Sequence, residues 1–493
     1  MLEKADLKVK CSKEEYENIE EGLLERIGCL QRRLREKGIP VIILFDGWHA
    51  SLRGRVISSV LAGLDPRGFR VRSAAKKNAC TEGLPYMTRF WTELPAQGSI
   101  AIYNNSWYYG LFEDKADSAK KSEGAELKVH AEDVNVFEKQ LADGGYLLIK
   151  IFLHISQERQ EKNLEKLEKT YGKDWHKIDG NHVKEKEYEL RYEIYDETIE
   201  ATDKRKAKWH VIPAEDLQVA QREAFGVICR EIETALKDER TDENHRLQED
   251  AKKVPDVLSG FDLSLNVSKD EYKEELKEYQ KKLQKLQFQL AKKDIAAIIA
   301  FEGWDASGKG GAIRRLTSLL DPVGYRVVPI GKPTETELQH HYLWRFWQAM
   351  PFPGEITIFD RTWYGRVLVE RVESLVKEQE WRRAYREINE TEELWRREGI
   401  VLIKFWLQID KEQQMARFRD RENTPSKTWK ITEEDWRNRS RWEEYEKAVN
   451  EMLFRTSTDV APWVVVEAND KYHARLKVLK TVADEFERAL AKP

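Results

Sequence analysis

Apolar residues run almost without a break from Ile39 to Phe45 and again from Ile295 to Phe301. Continuous runs of this length suit strands buried on both faces of a parallel sheet. Before the second run, Leu276, Tyr279, Leu283, Leu286 and Leu290 recur at three- and four-residue steps, which predicts an amphipathic helix over residues 269–292. After it, helical sequence extends from about Gly311 to Leu320, and Asp321-Pro-Val-Gly-Tyr325 is a turn signal. Further strands are predicted at Arg326–Ile330, at Ile356–Phe359 ending on Asp360, at Ile400–Leu407 and at Trp463–Glu467. The last two have counterparts at Tyr146–Leu153 and Trp209–Pro213. Strands alternating with helices predict a doubly wound α/β fold, a parallel sheet covered by helices on both faces. Residues 410–455, dense in Arg, Lys, Glu and Trp, read as a helical lid. Trp344 and Trp347 sit three apart in an apolar helical pattern and read as core packing.

The counterparts are systematic. Gly47 and Gly303 stand 256 apart, and the same offset pairs Asp6-Leu7 with Asp262-Leu263, Asp65-Pro66 with Asp321-Pro322, and Arg89-Phe90-Trp91 with Arg345-Phe346-Trp347. So long a period signals a duplicated domain rather than a solenoid. The 493 residues then divide into a first domain over 1–235, a polar linker over 236–259 and a second domain over 260–493. With 35% charged residues and a net charge of −4, any anion site must come from a local gathering of Arg and Lys. Cys11, Cys29, Cys80 and Cys229 lie far apart without ligand spacing and read as free thiols in a reducing compartment. The N-terminus lacks a signal-peptide core and no apolar run approaches the roughly 18 residues of a membrane span, so a cytoplasmic protein without membrane or nucleic-acid partners is expected.

The chemistry concentrates after the second buried run. Gly303-Trp-Asp-Ala-Ser-Gly308-Lys309 satisfies most of the Walker A pattern and stands between a strand and a helix. Backbone N–H groups of Gly303, Ala306, Ser307, Gly308, Gly310 and Gly311 are placed to converge on phosphate oxygens, beside the positive end of the following helix. Lys309 adds a cation. Gly310 replaces the usual Ser/Thr that ligates Mg²⁺, so a metal would lean on Asp305 within the loop and Asp360 at the end of the third strand. Arg361, Arg366 and Arg371 follow, and guanidinium groups there suit the charge that spreads over a phosphoryl group in transfer. Arg371 also fits a surface salt-bridge face. Arg314, Arg315, Arg326, Lys332 and Arg345 extend a positive track beside the loop.

These motifs, with Asp-Pro-Val-Gly-Tyr-Arg, Trp-Arg-Phe-Trp, Phe-Asp-Arg-Thr-Trp-Tyr and Ala-Pro-Trp-Val-Val-Val-Glu-Ala-Asn-Asp-Lys, resemble the polyphosphate kinase 2 family in order along both halves. The resemblance implies tandem P-loop kinase-like domains, similar in fold to thymidylate kinase, each with a helical lid. It implies phosphoryl transfer between inorganic polyphosphate and nucleotides with Mg²⁺, Mn²⁺ being the alternative. Tandem members resemble the polyphosphate:AMP phosphotransferases, which make ADP from AMP. Carried onto this sequence, Asp305 and Asp360 would hold the metal. Lys309 and the loop amides, with Arg314, would bind the polyphosphate end, and lid bases Arg417, Arg421 and Lys430 would track the chain. Asp305, Arg326, Arg361, Arg366 and Glu370 would face the nucleotide. Asp305, Lys309, Asp360, Arg361 and Arg366 would form the catalytic set.

The first copy keeps the frame (Trp48, Ser51, Asp65-Pro66, Trp107-Tyr108, Trp209) but not the equipment. Asp305 becomes His49, Gly308 becomes Leu52, Lys309 becomes Arg53, Gly311 becomes Arg55, and Asp360-Arg361 becomes Asn104-Asn105. A catalytically silent first half is expected, serving as an internal partner that replaces the contact of a second copy, and a homodimer of the whole chain is a further expectation. Competing readings are ADP as acceptor to give ATP, a nucleoside monophosphate kinase using ATP, and a polyphosphate-binding scaffold.

Overall fold

The apolar runs become the central strands of two parallel sheets. The computed structural model describes residues 1–75, 81–120, 129–172, 187–237, 254–426, 428 and 431–491. In the first sheet β1 (Val41–Gly47) lies between β3 (Ile100–Asn104) and β4 (Leu147–His154), flanked outside by β2 (Phe69–Arg72) and β5 (Trp209–Pro213). In the second, β6 (Ala297–Gly303) lies between β8 (Ile356–Asp360) and β9 (Val401–Gln408), with β7 (Tyr325–Pro329) and β10 (Trp463–Glu467) at the edges. All pairings are parallel and the order, 2-3-1-4-5 within each half, is the same. β1 is buried at every residue, and β6 at all but Gly303, as their unbroken apolar sequence requires.

Helices cover both sheets. Helix Lys269–Lys292 starts at Ser268, whose hydroxyl accepts from the Glu271 amide, and buries Tyr272, Leu283, Leu286 and Leu290. It packs along helix Lys471–Leu490. The stretch read as a lid resolves into helices Lys411–Glu422, Glu433–Ser440 and Trp442–Thr456. The third is a core helix, not a lid: Trp442, Ala448, Val449, Met452 and Leu453 are buried. Trp347 is buried with its ring 5.4 Å from Trp395, as core packing predicts, while Trp344 is half-buried.

Each half carries a buried polar knot built alike. Lys404 on β9 donates to Glu392, to the Tyr364 hydroxyl and to the Thr456 carbonyl at 2.7, 2.9 and 2.8 Å. Lys150 on β4 does the same with Glu138, Tyr108 and Thr202 at 2.8, 3.0 and 2.7 Å. A buried ion pair is tolerable only with every group satisfied, and here the lysine's three donors each have a partner. The lysines are 254 apart although the tyrosines are 256 apart, so a net two-residue difference falls between strands three and four of the repeat.

The chain divides into two units, one of Met1–Glu82, Phe90–Leu247 and Glu335–His341, the other of Gly83–Arg89, Gln248–Thr334 and Tyr342–Pro493. Most of the stretch read as a linker lies outside the described residues, as does Cys80. Cys11 and Cys229 are buried free thiols and Cys29 an exposed one. Among the described residues no helix is long and apolar enough to cross a membrane.

Candidate active site

At the C-terminal end of β6 the chain must pass close to β9. Gly303 has φ +148°, and a Cβ there would stand 2.7 Å from the Leu407 carbonyl oxygen, so only glycine fits. Ala306 (φ +60°) and Gly308 (φ +113°) complete the turn, and helix Lys309–Thr317 begins immediately, aiming its first amides back at the loop. Lys309 folds over the loop and donates to the carbonyls of Gly303 and Trp304 at 2.6 and 3.2 Å. Burial pushes its pKa down, opposed mainly by Asp305. Gly310 is exposed and Gly311 lies beside the Arg475 guanidinium, a cation the sequence reading had not singled out. Arg314 is exposed on the same helix.

The adjacent strand delivers the second cluster. Asp360 pairs in register with Phe301, and the Arg361 amide donates to the Phe301 carbonyl at 3.0 Å, so both side chains emerge beside the loop. Arg361 Nη2 stands 3.3 Å from Asp305 Oδ1. Arg366 pairs with Glu370 at 3.1 Å and lies over the Tyr342 ring at 4.5 Å. Arg371 instead pairs with Glu451 and receives no site role; it is part of a structural salt bridge. Arg326 is tied to the Thr357 hydroxyl and the Met350 carbonyl. Below the loop Glu302 is buried, its pKa pushed up by desolvation and held back by Lys309; it accepts from the amide and hydroxyl of Thr362 at 2.7 and 2.8 Å.

The lid bases divide. Arg417 is buried, and its guanidinium donates to the carbonyls of Ala306, Ser307, Ala468 and Asn469 at 2.6–2.9 Å. Burial, with Arg421 and Arg475 nearby, pushes its pKa down to about 10. It braces the loop rather than tracking a polyanion, which corrects the expectation for this residue: the four carbonyls take the donors of both its terminal nitrogens. Arg421 is half-buried beside it, and Lys430 lies outside the described residues.

The polyphosphate kinase 2 family model matches residues 10–240 and 266–492. The chain belongs to the polyphosphate kinase 2 family. It is 38% identical to the polyphosphate:AMP phosphotransferase of Pseudomonas aeruginosa over the full length of both chains, and 34% identical to that of Acinetobacter johnsonii over 90% of each. The crystal structure of a protein described as a polyphosphate kinase 2 from Pseudomonas aeruginosa superposes with a TM-score of 0.87 at 36% identity, covering 99% of both chains.

Within this tandem member of the polyphosphate kinase 2 family the first half keeps the loop's shape without its contents. Ala50 and Leu52 take φ +61° and +62°, and Arg53 donates to the Gly47 carbonyl at 3.0 Å, as Lys309 does to Gly303. Asp46 accepts from Ser106 where Glu302 accepts from Thr362. The space above is filled: Arg191 pairs with Glu113 at 2.9 Å, and the cavity lined by Asp46, His49, Arg53, Asn105, Arg191 and Tyr195 holds about 20 Å³. That is room for about one water molecule and none for a phosphate chain.

Sequence reading missed Glu302, Tyr342, Asn438 and Arg475. The pairing of Glu302 with Thr362 has a visible signal, since Asp46 and Ser106 repeat it at the same offset. The others depend on contacts that no spacing reveals.

Proposed function

We propose that this chain moves the terminal phosphoryl group of inorganic polyphosphate to AMP, giving ADP, and that the loop of the second half carries the reaction. The observation that carries the proposal is the gathering of Lys309 and Asp305 on the loop with Asp360 and Arg361 at the adjacent strand end, set against the 20 Å³ cavity at the matching place in the first half. AMP as acceptor rests on the full-length relatives named above.

Lys309 and the loop amides hold the end of the donor. Arg361 and Arg366 bridge donor and acceptor phosphates, and their charge counters what develops on the equatorial oxygens. Asp305 and Asp360 are hard oxygen donors that fit Mg²⁺ or Mn²⁺. No group of three or more His, Cys, Asp or Glu with metal-holding geometry occurs among the described residues, so phosphate oxygens and water would complete the shell. When bound, the cation supplies charge neutralisation at the transferred group. The first half serves as an internal partner in place of a second copy.

The test is an Mg²⁺-dependent assay with polyphosphate and AMP, following ADP, on wild type, Lys309→Ala and Arg53→Ala. Loss of a preorganised cation should cost about 100- to 1000-fold for Lys309→Ala. Arg53→Ala should stay within about twofold, the range for a residue outside the reaction. Equal losses in both variants would overturn the single-site reading, and activity with ADP but not AMP would replace the acceptor.

A further inference from the structure

The short helix Glu433–Ser440 reaches the site with one face. Its start is fixed by a capping box in which the Thr432 hydroxyl accepts from the Asp435 amide and Asp435 accepts from the Thr432 amide. Asn438 Nδ2 donates to Asp305 Oδ2 at 2.8 Å. The Tyr445 hydroxyl donates to Asn438 Oδ1 at 3.2 Å, which fixes the amide with nitrogen toward the carboxylate. One turn earlier, Glu434 stands 3.7 Å from Arg361. The helix thus meets both members of the Asp305–Arg361 pair with a complementary group. Behind it, Arg437 and Arg441 pair with Glu373 at 3.0 and 3.3 Å. Arg439 donates to Gln414, whose own amide donates to the Asp305 carbonyl at 3.1 Å.

We propose that Asn438 is a positioning residue that sets the direction of the Asp305 carboxylate for phosphoryl transfer, an assignment that rests on the function proposed above. The chemistry explains the residue type. Both neighbouring arginines are directed elsewhere, and the group that reaches Asp305 is a neutral amide. A lysine or arginine would neutralise the carboxylate and compete with a divalent cation for it. An amide donor orients one oxygen and leaves the full negative charge in place. Asn438 holds Oδ2 and Gln414 holds the main-chain carbonyl, so Oδ1 is the atom left to exchange Arg361 for substrate or cation. Misplacing such a group by even an ångström costs rate more than affinity.

The test compares Asn438→Ala and Asn438→Asp in the full chain, measuring kcat with polyphosphate and AMP, AMP affinity by calorimetry and Tm. Losing a hydrogen bond to a charged group predicts a fall in kcat of about tenfold for Asn438→Ala. Asn438→Asp keeps the size but sets carboxylate against carboxylate, and should fall about tenfold further. AMP affinity should change less than about threefold, because the contact acts on the reacting group and not on ground-state binding. A purely space-filling role predicts the opposite order, with Asn438→Asp near wild type; that order, an Asn438→Ala variant as active as wild type, or AMP affinity falling in step with kcat would overturn the assignment. Wild type inert with polyphosphate and AMP would instead overturn the functional reading.

Discussion

Arg361 holds its backbone at φ +66°, in the left-handed region that side chains with a Cβ rarely occupy. Its counterpart Asn105 sits at φ +65°, and asparagine tolerates that region better because its short amide bonds locally. Both amides are tied to the central strand, Arg361 to Phe301 and Asn105 to Phe45, so the turn belongs to the frame and the residue must adapt to it. The second half therefore bears strain that the first half relieves, and the gain is a guanidinium 3.3 Å from Asp305. Arg361→Gly should raise stability by about 0.5–1 kcal/mol, because glycine takes positive φ freely and the half-exposed ion pairs it gives up are worth little. Activity should fall about 100-fold or more with the loss of that charge. Urea unfolding and the coupled ADP assay check the two halves of this prediction; a variant less stable than wild type would show that the turn is not strained. Lys309, Asp305, Asp360 and Arg361 were legible in the sequence because a Walker loop and a strand end fix their places by spacing. Asn438 was not, since within Asp-Trp-Arg-Asn-Arg-Ser nothing local marks the residue that crosses 133 positions to reach Asp305.

The central strands followed from apolar runs and the parallel sheet from the alternation with helices, while the residues that tune one sheet against the other become visible only in pairs. At the end of β4 the Trp48 indole donates to His154 Nδ1 at 2.8 Å; at the end of β9 the Trp304 indole donates to Gln408 Oε1 at 2.9 Å. His154 is 4% exposed, and burial pushes its pKa down from 6.5 to about 4. The folded state thus prefers the neutral imidazole, and protonation would also remove the acceptor that Trp48 uses. Between pH 6.5 and 4 the unfolded chain binds the extra proton, so this contribution is full above pH 6.5 and lost as pH falls toward 4. The loss amounts to about 3 kcal/mol once pH is below both values. His154→Gln places in β4 the acceptor that β9 already uses, and it should flatten this acid dependence while leaving stability at pH 7 nearly unchanged. Urea midpoints at pH 7 and 4.5 for both proteins decide it: equal acid losses would remove His154 as the cause. The helical lid was less legible than the sheets, because Arg, Glu and Trp are equally dense in Glu433–Ser440 and in Trp442–Thr456. Only the latter's buried Ala448, Val449, Met452 and Leu453 assign it to the core.

At the scale of the whole molecule the units do not follow the duplication. Glu335–His341 belongs with the first unit and Gly83–Arg89 with the second, so each is completed by a short stretch from the other half of the sequence. In the first unit His341 is 5% exposed with its ring 5.3 Å from Trp91, and the Gln97 amide donates to the Gln339 carbonyl at 3.0 Å. In the second, Gly83 packs against Pro353, where a Cβ would come within 3.0 Å. The residue after His341 is Tyr342, whose ring carries the Arg366 guanidinium at 4.5 Å. His341, buried in the first unit, and Tyr342, which carries Arg366 in the second, are neighbours in sequence, so the division between the units falls at the edge of the proposed site. Residues 258–493 expressed alone would lack Gly83–Arg89, in which Met87 is buried, and so would bare the surface that Met87 covers; His341 would lose Trp91. Exposed apolar surface of that kind drives association. The fragment should therefore self-associate or lose solubility, and its activity per loop should fall about tenfold or more if the chain at His341–Tyr342 is no longer held in place. Light scattering after size exclusion, with the polyphosphate and AMP assay on the same fractions, measures both; a soluble, monomeric fragment as active as the full chain would mean that the first half is dispensable to the site.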